Sequence, residues 1–141
     1  MLMPEKIDDA MLAPCGVNCM ACLAHVRTKN SCAGCLGPDA HKRKSCLNCV
    51  RKNCAVEKGF TWCFQCEEFP CRPIKTLDQS YRKRYGISLV ENGRYARENG
   101  VGALLAWDRA RFTCGCGGII CQHDGICSAC GEKTELKPYE D

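Results

Sequence analysis

Five C-x2-C pairs dominate the chemistry open to this 141-residue chain: Cys19/Cys22, Cys32/Cys35, Cys46/Cys49, Cys63/Cys66 and Cys127/Cys130, drawn from sixteen cysteines in all. Two residues between thiols is the spacing at which one tight turn aims both sulfurs at a single ion, so the pattern predicts metal binding. A disulfide framework would need an oxidising compartment. Residues 1–14 show no apolar run of signal-peptide length and are interrupted by Glu5, Asp8 and Asp9, so a cytoplasmic, reducing setting with thiolate ligands is expected.

The eleven thiols between Cys15 and Cys71 can be partitioned in more than one way. A sequential scheme gives Cys32, Cys35, Cys46 and Cys49 to one ion and Cys54, Cys63, Cys66 and Cys71 to another. It leaves Cys15, Cys19 and Cys22, with His25 the nearest fourth ligand. If Cys19, Cys22 and His25 shared one helix they would climb about 9 Å along its axis, a long reach for one ion. A cross-braced scheme is the rival, pairing Cys19/Cys22 with Cys46/Cys49 and Cys32/Cys35 with Cys63/Cys66. The C-x3-C-x2-C spacing of Cys15, Cys19 and Cys22 also leaves an iron-sulfur cluster open there, since all-thiolate sets accept iron or zinc.

The sharpest local motif lies near the C-terminus. Cys114-Gly115-Cys116-Gly117-Gly118 supplies two thiols on a glycine-rich turn, and Cys127-Ser128-Ala129-Cys130-Gly131 supplies two more. The pattern resembles a zinc ribbon, with a first knuckle one residue short. Its glycines let the backbone fold tightly and turn amides back toward the sulfurs. Between the knuckles Ile119-Ile120 reads as a strand and His123-Asp124-Gly125 as a turn, with Cys121 packed inside. His123 is a spare ligand candidate. With about four zinc ions in all, metal takes the place of a large apolar core as the main source of stability.

Three segments must position these thiols: a cysteine-rich module over 1–71, a cysteine-free spacer over 72–113 and a ribbon-like module over 114–141. The spacer reads as helical. Ile74, Leu77 and Tyr81 share a face that Gly86 ends; Ser88 and Glu91 form a capping box for a second helix ending at Gly100, with Gly93 inside it. Val101, Leu104, Leu105 and Phe112 line a third. Phe60 to Phe64, with alternating aromatics before a C-x2-C turn, reads as one strand of a knuckle hairpin. The fold class expected is a small metal-stabilised protein, mainly α plus irregular, with short β-hairpins at the metal knuckles and a C-terminal zinc ribbon.

Charge says little about partners until metal is counted. The formal +4 treats every thiol as neutral, and sixteen thiolates on four divalent ions would shift it by about −8, to about −4. The basic balance is concentrated in 72–113, with nine Lys/Arg against four Asp/Glu. Tyr81-Arg82-Lys83-Arg84-Tyr85 is the best hint of a nucleic-acid partner, but three consecutive cations on a helix spread over about 200° and make no single face. His41 to Lys44 reads as a solvated loop. Another protein is the partner expected, and no apolar stretch is long enough for a membrane span. Scattered histidines, no Ser/His/Asp order, no H-E-x-x-H helix and no phosphate loop point away from an enzyme.

Ala13-Pro14-Cys15-Gly16, Cys19, Cys22, the Cys32-Ala33-Gly34-Cys35 turn, Cys63, Cys66 and Phe69-Pro70-Cys71 resemble a family of small cysteine-rich prokaryotic proteins known only as a domain of unknown function. The resemblance implies a bacterial or archaeal metal-binding protein and carries no catalytic residue. The role expected is a zinc-binding adaptor module. An iron-sulfur or redox accessory protein and a zinc storage or donor protein are the alternatives.

Overall fold

The structure is a computed structural model and describes residues 1–135. It is small and mainly helical. In chain order it has α1 (Leu23–Val26), α2 (Lys44–Leu47), α3 (Val50–Glu57), α4 (Arg72–Tyr85), α5 (Leu89–Asn99) and α6 (Val101–Phe112), with 3-10 turns at Asp9–Met11, Cys19–Ala21 and Cys63–Gln65. Among the described residues extended pairing is confined to isolated bridges, such as Leu2 with Gly118, Thr113 with Ile119 and Ile120 with Cys127. None of these helices is long and apolar enough to cross a membrane.

The three long helices occupy the span read as helical, and their ends follow local chemistry. Gly86 closes α4 at φ 67°, a left-handed conformation that glycine adopts without steric cost. The Ser88 hydroxyl accepts from the Glu91 amide at 3.1 Å, capping α5. Ser88 also donates to Asp78 on α4 at 2.8 Å, and the same carboxylate pairs with Arg82 at 2.9 Å, fixing the corner between the two helices. Helix α5 packs against both α4 and α6. Gly93 in its interior has a packing reason: a Cβ there would fall 2.3 Å from Cζ of Phe69, whose ring lies on the helix backbone. That contact accounts for a residue that costs a helix about 1 kcal/mol relative to alanine.

One apolar cluster runs through the molecule, taking Leu12 from the N-terminal turn, Ile74, Leu89, Leu104 and Phe112 from the helices, and Cys121 from the C-terminal segment. The first residues of the chain meet the C-terminal cysteine segment as well. Met3 N donates to the Gly117 carbonyl at 2.9 Å and Ile119 N to that of Met1 at 3.0 Å.

The strand expected at Phe60–Phe64 does not form. Cys63–Gln65 winds a 3-10 turn because the backbone there is satisfied by side chains instead of a neighbouring strand: Gln65 Oε1 accepts from Thr61 N and Trp62 N, both at 3.0 Å, while the indole of Trp62 donates to the Leu12 carbonyl at 2.9 Å. Ile119 and Ile120 likewise make single bridges and no strand. Cys19, Cys22 and His25 do not share a helix. Cys19 opens a 3-10 turn and Cys22 is the cap that precedes α1.

Candidate metal centre

Four cysteines converge where α6 ends. The ligand atoms of Cys114, Cys116, Cys127 and Cys130 all lie within 4.8 Å of one another. The sulfurs of Cys114 and Cys130 are 3.7 Å apart and those of Cys116 and Cys127 are 3.6 Å apart. With metal–sulfur bonds of about 2.3 Å, the edge of a tetrahedron around one ion is about 3.8 Å, so these separations suit a single tetrahedral centre. Among the described residues no other group of three or more ligating side chains is this compact.

The backbone builds this geometry. Cys114 N donates to the Gly118 carbonyl and Gly117 N to that of Cys114, both at 2.8 Å, which closes the short C-x-C knuckle into a tight loop. Gly118 N points at Cys116 Sγ and Ala129 N at Cys127 Sγ, both at 3.4 Å, with Cys130 N at 3.5 Å from the latter sulfur. Such amides offset thiolate charge. Gly118 has no room for a side chain: a Cβ would stand 2.6 Å from both Cys127 Sγ and Ala129 Cβ. Burial works to raise the Cys127 thiol, but the amides of Cys130 and Ala129 and hydrogen bonds with Cys116 and Cys130 outweigh it and bring the pKa down to about 6. Cys130 accepts from the Glu132 amide, yet burial and the neighbouring sulfurs push it up to about 12. Cys127 thus ionises readily, whereas Cys130 needs the charge of a cation to do so.

The histidine and the fifth cysteine of this segment are placed elsewhere. His123 Nδ1 accepts from Leu23 N at 3.1 Å, and its Nε2 bonds the Tyr81 hydroxyl at 3.0 Å. With Nδ1 accepting, the proton sits on Nε2 and the ring is neutral, in keeping with a pKa lowered by burial and by Arg43. Both ring nitrogens are therefore engaged, and His123 fastens the turn to α1 and α4. Cys121 is 2 % exposed and belongs to the apolar cluster; burial pushes its thiol up to about 11.

Ten of the eleven N-terminal thiols divide around two cavities. One, of about 220 Å³, is lined by Cys54, Cys63, Cys66 and Cys71, with Lys58 and Glu68 at its edge. Lys58 Nζ lies 3.6 Å from Cys66 Sγ and pairs with Glu68. The other, of about 180 Å³, is lined by Cys15, Cys19, Cys22, Cys35, Cys46 and Cys49. Cys32 lines neither. It is buried, with its sulfur accepting from Gly34 N at 3.4 Å.

The Cys54, Cys63, Cys66 and Cys71 grouping of the sequential scheme lines one cavity together, whereas the six-cysteine cavity holds Cys19, Cys22, Cys46 and Cys49 as the cross-braced scheme paired them but adds Cys15 and Cys35, a set that neither scheme contained. Cys35 turns to Cys19, whose sulfur accepts from Cys35 N at 3.4 Å, and leaves Cys32 behind. Spacing cannot foresee such a split, because two residues between thiols allow both sulfurs to face one site without forcing them to. His25 does not line the six-cysteine cavity; its Nδ1 lies 2.6 Å from the Cys32 carbonyl. Burial pushes Cys15 up to about 12. Cys35 is brought down to about 7 by its hydrogen bond with Cys19, against burial and helped by Lys42, Lys52 and Arg43.

Residues 11–76 match the family described as "Protein of unknown function (DUF3795)". That stretch holds all eleven N-terminal cysteines, while α5, α6 and the C-terminal thiols lie beyond it. No curated protein and no solved structure matches the chain.

Proposed function

We propose that this protein is a zinc-binding module in which Cys114, Cys116, Cys127 and Cys130 hold one structural zinc ion, drawing two knuckles into a ribbon-like unit, and that the loaded protein acts in the cytoplasm as an adaptor for another protein. The observation that carries the zinc reading is the sulfur spacing of 3.6 and 3.7 Å, close to the edge of a four-thiolate tetrahedron. Four thiolates fill the coordination sphere and leave no position for a substrate, which favours structure over catalysis. A protein partner is favoured over nucleic acid by the basic helix itself. Tyr81 and Tyr85 rest edge-on against the His123 ring, and Arg82 is paired with Asp78, so the rings that would stack on bases and one of the three cations that would hold phosphates are already engaged.

Elemental analysis of wild type and Cys130→Ser tests the zinc reading. The variant should lose one zinc per chain, and cobalt loaded in place of zinc should show the intense visible bands and sulfur-to-metal charge transfer of a tetrahedral four-thiolate site. A full zinc complement in Cys130→Ser would sink it. Iron in place of zinc at this site, or zinc that passes readily to a moderate chelator with the fold intact, would favour the accessory or storage roles. In-cell cross-linking that recovers no protein partner would remove the adaptor role.

A further inference from the structure

The six-cysteine cavity presents a stoichiometric problem that one ion cannot solve. Tetrahedral zinc or iron accepts four thiolates, so one ion would strand two of the six; two independent tetrahedral ions would need eight. Six thiolates suffice for two ions that share bridging sulfurs, and they exceed the four that a four-iron cluster requires when inorganic sulfide bridges the metals. The sulfur spacing agrees. The C-terminal four are drawn within 4.8 Å, whereas no three of the cavity thiols form a group that compact; instead they stand around about 180 Å³ of space. Charge agrees as well. Six thiolates exceed the charge of two divalent ions by two, and Arg43 and Lys52 line the same cavity, with Arg43 in electrostatic contact with Cys22 and Cys46.

We propose that Cys15, Cys19, Cys22, Cys35, Cys46 and Cys49 form the site of one polynuclear metal centre, in which metal ions share a single cavity through bridging thiolate or inorganic sulfide. The ligands come from three separate stretches: the turn and cap before α1, the Cys35 turn, and the segment bearing α2 and the start of α3. The centre is what holds those stretches together. The inference rests on the protein being a metal binder, and it does not depend on the C-terminal zinc.

Full-length protein purified without oxygen allows a direct test. Zinc, iron and acid-labile sulfide are counted in wild type, Cys22→Ser, Cys49→Ser and Cys127→Ser. Cys22→Ser and Cys49→Ser should each lose the same two or more metal equivalents together, whereas Cys127→Ser loses one zinc and keeps the rest. Iron lost with sulfide identifies a cluster; zinc lost in a pair identifies a thiolate-bridged centre. Loss of a single equivalent, or of different equivalents in the two cavity variants, overturns the proposal. X-ray absorption of unmodified protein provides a readout that no folding defect can blur: metal–metal scattering is expected at the iron or the zinc edge, and its absence at both overturns the proposal. Metal–metal scattering with undiminished zinc in Cys127→Ser would sink the C-terminal reading and leave this one standing.

Discussion

The two thiol-rich regions of this molecule differ in how closely they gather their sulfurs. At the C-terminus, the backbone sets the sulfurs in place: amides of Gly118, Ala129 and Cys130 point at them, and the loop is pinned to residues 1–3. In the N-terminal region the thiols border cavities and hang on short elements. Helix α2 has four residues and no side-chain cap, while α3 has eight, buries only Ala55 and exposes Val50 and Val56. Helices shorter than about 12 residues are marginal in water without packing. The contrast teaches that a metal can be received by a prepared site or can itself be the core around which the chain is organised.

Metal removal should expose this difference with the largest effect. A structural zinc contributes on the order of 10 kcal/mol of folding free energy. After chelation under reducing conditions, hydrogen exchange should show α2 and α3 losing nearly all protection. Helices α5 and α6, which pack on each other over Leu89, Leu104 and Leu105, should keep most of theirs, with 113–131 in between. Simultaneous loss of protection everywhere would mean that the two regions are one cooperative unit, and the contrast would fail.

A smaller, local effect sharpens the idea of a prepared site. Because a Cβ on Gly118 would stand 2.6 Å from Cys127 Sγ, Gly118→Ala should force the knuckles apart and weaken zinc retention at that site about 10- to 100-fold, or about 1–3 kcal/mol. Competition against a chromophoric chelator reads this directly. Metal in the N-terminal region should be unaffected. Unchanged affinity would show that the loop adapts to its ion, as the N-terminal thiols are inferred to do.

What could be read from the sequence follows the same division. The helices α4, α5 and α6 were legible because their signals are local: a capping serine at 88, glycines at 86 and 100, and apolar residues at helical spacing. The C-terminal four were legible because their knuckles are close in sequence and rich in glycine. The grouping of Cys54, Cys63, Cys66 and Cys71 was legible from their order along the chain; the sharing of the other N-terminal thiols was not, since it depends on which turns pack together, as when Cys35 meets Cys19 sixteen residues away and Cys32 does not. Phe60 to Phe64 carried a strand-like alternation that Gln65 overrode by capping the backbone. Asp108 carried no signal in sequence, although it joins the two regions.

That last residue supports the finest test of the comparison. Asp108 on α6 is 1 % exposed and accepts from Asn18 Nδ2 at 3.2 Å, and Asn18 in turn caps the Cys19–Ala21 turn and accepts from Gln122 at 2.8 Å. Burial pushes its carboxyl up to about 7, against the hydrogen bond from Asn18 and the charge of Arg111. Between the unfolded value, about 3.9, and the folded one, the folded protein holds a proton that the unfolded chain has released. Raising the pH through that window therefore destabilises the fold, and the loss levels off above about 8. Asp108→Asn keeps an acceptor for Asn18 and removes the titration. Relative to the variant, metal-loaded wild type should lose about 1.4 kcal/mol between pH 6 and pH 8, measured by denaturant unfolding. Comparing the two proteins cancels the pH dependence of the thiolates, which both share. A parallel pH profile for wild type and variant would show that Asp108 keeps its charge when buried, and that the link between the thiol cavity and α6 is an ionised one.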